Sequence, residues 1–413
     1  MNISKLLNYI RPSLGRGLGV GLFILHSSIF NFTHAQVWDT LCVERYRIDT
    51  VDVGALKAEV NALAFFQNNE FSSRVLKGYT LPGGWLQPKL TYTPMRQVHL
   101  EVGAHLMFYD GANRYPNFAY SDIAKWKGNQ HTHGVHALPY LRAQADFQRL
   151  TLVLGDIYGA QNHGLILPLY NPEQNLSADP EMGFQLINDR RHNHLDMWIN
   201  WQSMIYRLDS HQEAFTVGVN NTLRWNRDAG KRIQWETPVQ IILQHRGGEI
   251  DTTNTGVQTV VNGSIGARMT WRPLKRKLNS LRAEANVLGS WQQHGSLWPF
   301  DTGLAVHTAV SLTMLKNLNL EVGYVGAPRQ FANLYGSPFF GTISIRHRAQ
   351  NLTFRGMHTA YANVGYAYTF APGYSLAAQL QLYSIHSKGL DALPFGFGIY
   401  MRIDPSFVLK RKK

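Results

Sequence analysis

The segment 159–193 combines acidic and basic side chains that could select a charged solute. Opposed charges on the walls of a narrow passage create a transverse field across it. A stretch of this length without a helix or strand pattern is usually functional. We therefore expect this segment to be functional, with a solvated loop over the mouth as the alternative. The candidates are Glu173, Asp179 and Glu181 for the acidic wall and Arg190, Arg191, Arg142 and Arg224 for the basic wall.

Other reactive side chains lack a diagnostic spacing. Histidines cluster at 131–136 and 192–194, but no cysteine or carboxylate stands at a ligand spacing beside them, so neither a metal nor a cofactor is predicted. The sequence contains no Gly-x-Ser-x-Gly motif. The chain is therefore predicted not to be an enzyme, with a hydrolase or acyltransferase as the alternative. Residues with suitable chemistry for that alternative are His99, His105, Asp146, Asp196 and Ser203.

The segments that must position these residues alternate between apolar and polar side chains. In 55–66, Leu56 and Ala58 fall on one face, while Lys57 and Glu59 fall on the other. Successive side chains of a strand point to opposite faces, so each such segment is a ribbon with one apolar and one polar face. The pattern recurs in about fifteen segments of roughly ten to fourteen residues, a length that crosses a bilayer when the strand is tilted.

The strands are predicted to close into a barrel. An open sheet in hydrocarbon would leave the N–H and C=O groups of its edges unpaired. Short links alternate with long ones, as in outer-membrane barrels. The predicted fold is all-β, a closed antiparallel transmembrane β-barrel of about 14 strands, with about 16 or about 12 as alternatives because the number should be even. The uncertainty lies in the hairpins between 194 and 272 and in 342–348, which could be a further strand. A soluble sandwich or propeller is the competing architecture.

Charged residues on the polar face of the strands are predicted to line the lumen. A water-filled interior accounts for them, and salt-bridged braces in a closed lumen are the alternative. The predicted lumen-facing residues are Lys57, Glu59, Lys89, Glu101, Arg142, Asp146, Asp196, Arg268, Arg282 and Glu284.

The ends of the chain predict its domain boundaries, and its net charge bears on possible partners. Residues 1–35 combine a basic start, an apolar centre and Thr33-His34-Ala35, which predicts a signal peptide cleaved before Gln36. A short periplasmic segment is expected at 36–54, the barrel at 55–409 and a basic tail at 410–413. The net charge is +13, of which seven positive charges belong to the signal and the tail. The others are spread singly, so no nucleic-acid partner is predicted.

The chain resembles the porin-like outer-membrane β-barrels of Gram-negative bacteria. The resemblance rests on the signal ending at Ala35, the amphipathic strands and the final strand around 398–403. It implies an outer-membrane location, contact with lipid, and a segment 159–193 that folds inward and forms a constriction. The polar faces of the strands and this long segment favour passive passage of small polar solutes through a monomer or trimer. The terminal aromatic residue of such barrels is missing, because Phe407 is followed by Val408, Leu409 and the basic tail.

A structural barrel that anchors a partner through loops 110–137 and 328–358 is a third interpretation.

Overall fold

The chain forms sixteen antiparallel strands. The computed structural model describes residues 37–109, 135–206, 211–226, 232–248, 256–273, 277–315 and 317–411, so the predicted signal peptide lies outside the described residues. The strands are β1 Ala55–Glu70, β2 Tyr79–Met95, β3 Val98–Tyr109, β4 Val135–Phe147, β5 Leu150–Asp156, β6 Met182–Asp189, β7 Asn193–Ser203, β8 Ala214–Arg224, β9 Ile233–Arg246, β10 Gln258–Trp271, β11 Leu278–His294, β12 Thr302–Met314, β13 Leu318–Ala327, β14 Met357–Ala371, β15 Tyr374–Ser387 and β16, which consists of Leu390–Ala392, Phe395–Ile403 and Ser406–Arg411.

The sheet closes on itself through its first and last strands. β16 pairs with β15 on one side and with β1 on the other, where Ala62 lies opposite Ile403 and Ala58 opposite Phe407. Its three segments follow one path and are separated at Pro394 and at Pro405. Proline has no N–H to donate to the ladder, which explains both interruptions.

The predicted strand number of about 14 is wrong, and the alternative of 16 is correct. The strand missing from the sequence interpretation is β6, Met182–Asp189, which lay inside the predicted loop 159–193. The segment 342–348 is not a further strand, because among the described residues its Ile343 forms an isolated bridge with Thr353. With only eight residues, β6 presents too few alternations to stand out from a loop.

The two faces of the wall differ as expected for a membrane barrel. Large apolar side chains such as Leu100 and Val102 are exposed on the outside. The inside carries charged residues in ion pairs, for example Lys89 Nζ to Glu101 at 2.6 Å between β2 and β3, and Arg282 Nη2 to Glu284 at 2.7 Å along β11. Further predicted lumen residues make the pairs Lys57–Asp52, Arg268–Glu284, Asp146–Arg47 and Asp196–His163, while Glu59 accepts a hydrogen bond from Ser406.

The lumen is filled by segments that fold inward. Residues 37–54, expected as a periplasmic segment, enter the barrel, where helix α1, Val37–Cys42, buries Trp38 against Tyr400 with ring centroids 4.7 Å apart. Residues from 71–76, 165–169 and 331–354 form a second apolar core against the inner wall. Burying these side chains in the lumen removes apolar surface from water. Lys410 and Arg411, expected in a tail, belong to β16.

The lengths of the connections orient the barrel. The turns 96–97, 148–149, 190–192 and 372–373 are short and share one end, while 157–181 and 328–356 leave from the other end. Short turns are periplasmic and long loops extracellular in outer-membrane barrels, so β15 runs from the periplasmic end to the extracellular end. Among the described residues, no helix is long and apolar enough to cross a bilayer.

Candidate active site

A serine, a histidine and an aspartate form a hydrogen-bonded row at the extracellular end of β15 and β16. Ser384 and His386 are two residues apart on β15, so both side chains point to the outer face. Ser384 Oγ lies 2.8 Å from His386 Nε2, and His386 Nδ1 lies 2.9 Å from Asp391 Oδ1. A hydroxyl beside an imidazole that is itself oriented by a carboxylate is the arrangement of nucleophile, base and orienting group used in acyl transfer. We call these three residues the rim triad.

The hairpin between β15 and β16 brings the aspartate to the histidine. Two residues, Lys388 and Gly389, join the strands, and the register sets His386 opposite Asp391. Gly389 has a φ of +77°, in the left-handed region that glycine adopts without strain. Arg74 Nη1 donates a hydrogen bond of 2.9 Å to the Gly389 carbonyl and fixes the turn.

A second histidine lies beside the rim triad on β14. His358 is directly opposite His386 in the ladder, and its Nδ1 is 2.5 Å from the hydroxyl of Tyr324 on β13. In the next row toward the periplasm, Tyr324, Ala360 and Ser384 lie side by side across three strands. His358 and Tyr324 therefore border the same patch of outer surface as the triad.

The rim triad lies at the boundary between polar and apolar surface. One row nearer the periplasm, the outer face carries Val322, Leu382 and Phe395, which are 56%, 44% and 41% exposed. Above it, the side chains of His386 and Asp391 are 58% and 83% exposed. A lipid whose acyl chains contact the apolar rows would place its ester linkages near Ser384.

A buried histidine in the lumen forms a different kind of cluster. His163, in the inward-folded connection 157–181, places Nδ1 2.7 Å from Asp196 and Nε2 3.2 Å from Glu181, and its ring stacks on Trp198 at 3.5 Å. Burial lowers the pKa of His163, but Glu181 and Asp196 raise it by more, to about 9. Both nitrogens already face carboxylates, so this imidazole clamps the connection to the wall and has no free nitrogen to act as a base.

Of the predicted constriction residues, Asp179, Glu181 and Arg142 line one cavity, whereas the others lie elsewhere. Glu173 accepts hydrogen bonds from Tyr79 and Asn69, while Asp179 faces His136 at 3.0 Å. Arg142 is buried between Glu101 and Glu44 at 3.3 and 2.9 Å. Three of the basic candidates lie at the periplasmic end: Arg190 and Arg191 in the turn after β6, and Arg224 on Asp189 at 2.7 Å.

The residues that the sequence suggested for a hydrolase do not lie together in the structure either. His99 bonds to Thr93 and Glu101, His105 to Gln87, and Asp146 to Arg47, each at a different place on the inner wall. Ser203 is the last residue of β7, at the extracellular end of the strand and seven residues from Asp196. Of the clustered histidines, His131 and His133 lie outside the described residues, whereas His192 and His194 contact Arg224 and Asp189.

Sequence reasoning missed the rim triad, although a signal was present. Ser384-Ile385-His386 places a hydroxyl and an imidazole on the same face of a strand, and Asp391 follows after Lys388-Gly389, a possible tight turn. A pattern this short is common by chance in strands. Only the hairpin register, which sets Asp391 opposite His386, distinguishes it from unrelated polar residues at a strand end.

The fold and its surface define a porin-like barrel of the outer membrane, as predicted from the sequence, and the outer-membrane location is confirmed. The chain belongs to the family described as lipid A 3'-O-deacylase-type, whose pattern matches residues 48–412. This membership contradicts the prediction that the chain is not an enzyme. No curated protein matches the chain.

Several solved outer-membrane proteins are similar to the chain in structure. OprD from Pseudomonas aeruginosa is 9% identical, with a TM-score of 0.47, and the match covers 89% of this chain and 96% of OprD. OccAB3 from Acinetobacter baumannii is 10% identical, with a TM-score of 0.45, and the match covers 85% of this chain and 99% of OccAB3. A loop-deleted OmpT of Vibrio cholerae is 11% identical, with a TM-score of 0.45, and the match covers 85% of this chain and 100% of that OmpT.

Proposed function

We propose that the protein is an outer-membrane lipid hydrolase that releases ester-linked acyl chains from lipid A or a similar lipid of the outer leaflet. The observation that carries the proposal is the hydrogen-bonded row of Ser384, His386 and Asp391 on the outer face of the barrel. Family membership supports the same reaction class. The substrate then reaches the site by lateral diffusion in the leaflet, without entering the lumen.

The reaction follows from the roles of the three side chains. Ser384 Oγ attacks the ester carbonyl carbon while His386 Nε2 takes its proton, and Asp391 holds the Nδ1–H and stabilises the imidazolium. The ester C–O bond breaks, and the leaving alkoxide takes the proton back from His386. Water then hydrolyses the acyl-serine by the same route and releases the fatty acid.

His358 is proposed as the donor to the oxyanion. A tyrosine hydroxyl that donates to Nδ1 leaves the proton of the neutral imidazole on Nε2. We take the Tyr324 hydroxyl as the donor in its contact with Nδ1, so that His358 Nε2 carries the proton and is a donor next to the triad. A donor directed at the charge that develops on the carbonyl oxygen lowers the barrier for acyl transfer.

Passive passage of small polar solutes, the function predicted from the sequence, has weaker support. Both α1 and an apolar core occupy the lumen, and Arg142 is already paired with two carboxylates. A polar pore would instead require these groups to face water.

The nucleophile can be tested directly on the purified barrel. A fluorophosphonate should label the wild-type chain on the peptide that contains Ser384, and Ser384→Ala should abolish both labelling and acyl release. Ser406→Ala is the control, because that serine is exposed at the periplasmic end of β16 and bonds to Glu59, far from the triad. Undiminished acyl release by Ser384→Ala would overturn the proposal.

A further inference from the structure

The extracellular loops beside the rim triad carry many cations and few acids. Segments 71–78, 328–356 and 387–392 together contain a single carboxylate, Asp391, which already faces His386. Their exposed basic side chains include those of Arg74, Lys77, Arg346, Arg355 and Lys388. We call these five residues the rim cations.

Hydrogen bonds between the loops hold four of the rim cations close to the triad. Arg74 donates to Gly389 next to Lys388, at 2.9 Å. The Arg74 carbonyl accepts from Ser344 at 2.6 Å, and Arg346 Nη1 donates to the Ser73 carbonyl at 3.1 Å. Ser387, one residue after His386, donates to the Arg355 carbonyl at 2.7 Å. The cations therefore share one surface with the hairpin that carries the triad.

The rim cations have no carboxylate partners in the part of the chain that the structure describes. Among the described residues, none of the five forms an ion pair with a carboxylate. Concentrated like charge raises the local potential and attracts an anionic ligand. Arginine side chains are suited to phosphate groups, because the planar guanidinium donates two parallel hydrogen bonds.

We propose that the rim cations bind the phosphate of a lipid headgroup and so hold a phosphorylated lipid with its ester at Ser384. The inference rests on the proposed function and adds the headgroup chemistry of the substrate. The occupant is a membrane lipid because the patch adjoins outward-facing apolar rows: Val322, Leu382 and Phe395 lie just below the triad. A lipid that spans both surfaces satisfies the cations with its phosphate and the apolar rows with its chains.

Binding can be measured without turnover in the full chain carrying Ser384→Ala. Dioctanoyl phosphatidic acid and dioctanoyl glycerol have the same chains and differ in the phosphate, so calorimetric titration of both reports the headgroup contribution. Arg355→Gln with Lys388→Gln should weaken phosphatidic acid binding about tenfold per charge removed and leave dioctanoyl glycerol unchanged. The side chains of Arg355 and Lys388 donate none of the loop-to-loop hydrogen bonds described above, so these substitutions spare those bonds.

The control removes two exposed cations at the opposite end of the barrel. Arg96→Gln with Arg149→Gln changes the net charge equally on the periplasmic turns, and should leave phosphatidic acid binding unchanged. Equal binding of the two lipids, or equal losses in both double variants, would overturn the proposal. Inorganic phosphate that binds as tightly as phosphatidic acid would overturn the assignment to a lipid. Because binding is read in the Ser384→Ala chain, it can hold or fail independently of hydrolysis.

Discussion

His386 and Asp391 face each other across the two-residue turn between β15 and β16, with Nδ1 2.9 Å from Oδ1. The contact depends on a turn that has a glycine at positive φ and a hydrogen bond from Arg74. The orientation of the imidazole is thus determined by backbone geometry on the outer rim, away from the packed lumen.

Replacement of the turn glycine should reduce activity through the position of Asp391. Gly389→Ala puts a side chain at a φ of +77°, which costs about 1–2 kcal/mol and favours a shifted turn. We expect kcat for acyl release to fall roughly tenfold while KM changes little, because the change acts on proton transfer. Gly373→Ala is the control for general destabilisation, since Gly373 has the same φ in the periplasmic turn before β15 and an added Cβ there also meets the Asp404 carbonyl at 2.9 Å. An equal loss in both variants would indicate general destabilisation.

Loss of the proposed oxyanion donor should act on kcat. His358→Ala is expected to lower kcat about a hundredfold with KM nearly constant. Tyr324→Phe should have a smaller effect in the same direction, because the imidazole remains but its proton is no longer directed to Nε2. Steady-state kinetics on an ester in detergent micelles separates the two constants. His358→Gln retains an N–H donor and should recover part of the kcat that His358→Ala loses. If His358→Gln recovers none of it and the substitutions change only KM, His358 contributes to substrate binding alone.

The lumen clamp should make stability depend on pH on the alkaline side. The pKa of His163 is about 9 in the folded protein against 6.5 for the free side chain. The contribution of His163 to the free energy of unfolding is therefore complete below about pH 6.5 and is lost as the pH rises through about 9. The temperature at which the barrel loses its compact band in detergent gels should decrease between pH 7 and pH 10 in the wild type.

His163→Gln tests the origin of that pH dependence. Glutamine retains hydrogen bonding but cannot become charged, so its unfolding temperature should vary less with pH over the same range. Loss of one partner from a buried charged pair commonly costs about 3–5 kcal/mol, so the variant should be less stable at pH 7. His192→Gln, at an exposed periplasmic turn, is the control. The same alkaline slope in His163→Gln and wild type would assign the effect to other groups.

The apolar core in the lumen should limit conductance. Phe331, Phe339 and Leu334 are each at most 1% exposed and pack against the inner wall with residues of 71–76 and 165–169. Replacing 330–355 by a short Gly-Ser link should raise single-channel conductance in planar bilayers severalfold, because that segment's part of the core is removed while the sixteen strands remain. A wild-type chain that already conducts like an open porin would favour the solute channel.

The sequence determined the class of fold but not the number of strands. Alternation between apolar and polar residues fixes which side of each strand meets lipid, because side chains of a strand alternate between its faces. Leu56, Val102 and Leu382 all lie on the outer face that this rule predicts. Strand β6 escaped because eight residues are few to show a period, and the prolines at 394 and 405 interrupted the last strand without ending its path.

The candidate active site could only be found in the tertiary structure. Ser384 and His386 are neighbours in sequence, but the register of a two-residue hairpin is what sets Asp391 opposite His386, and pairing with β14 adds His358. The charges chosen from the sequence for a pore are instead neutralised pairwise, as in Arg142 with Glu101 or Asp196 with His163. Local spacing thus determined which side chains share a face, whereas strand register and inward folding of the connections decided which of them touch.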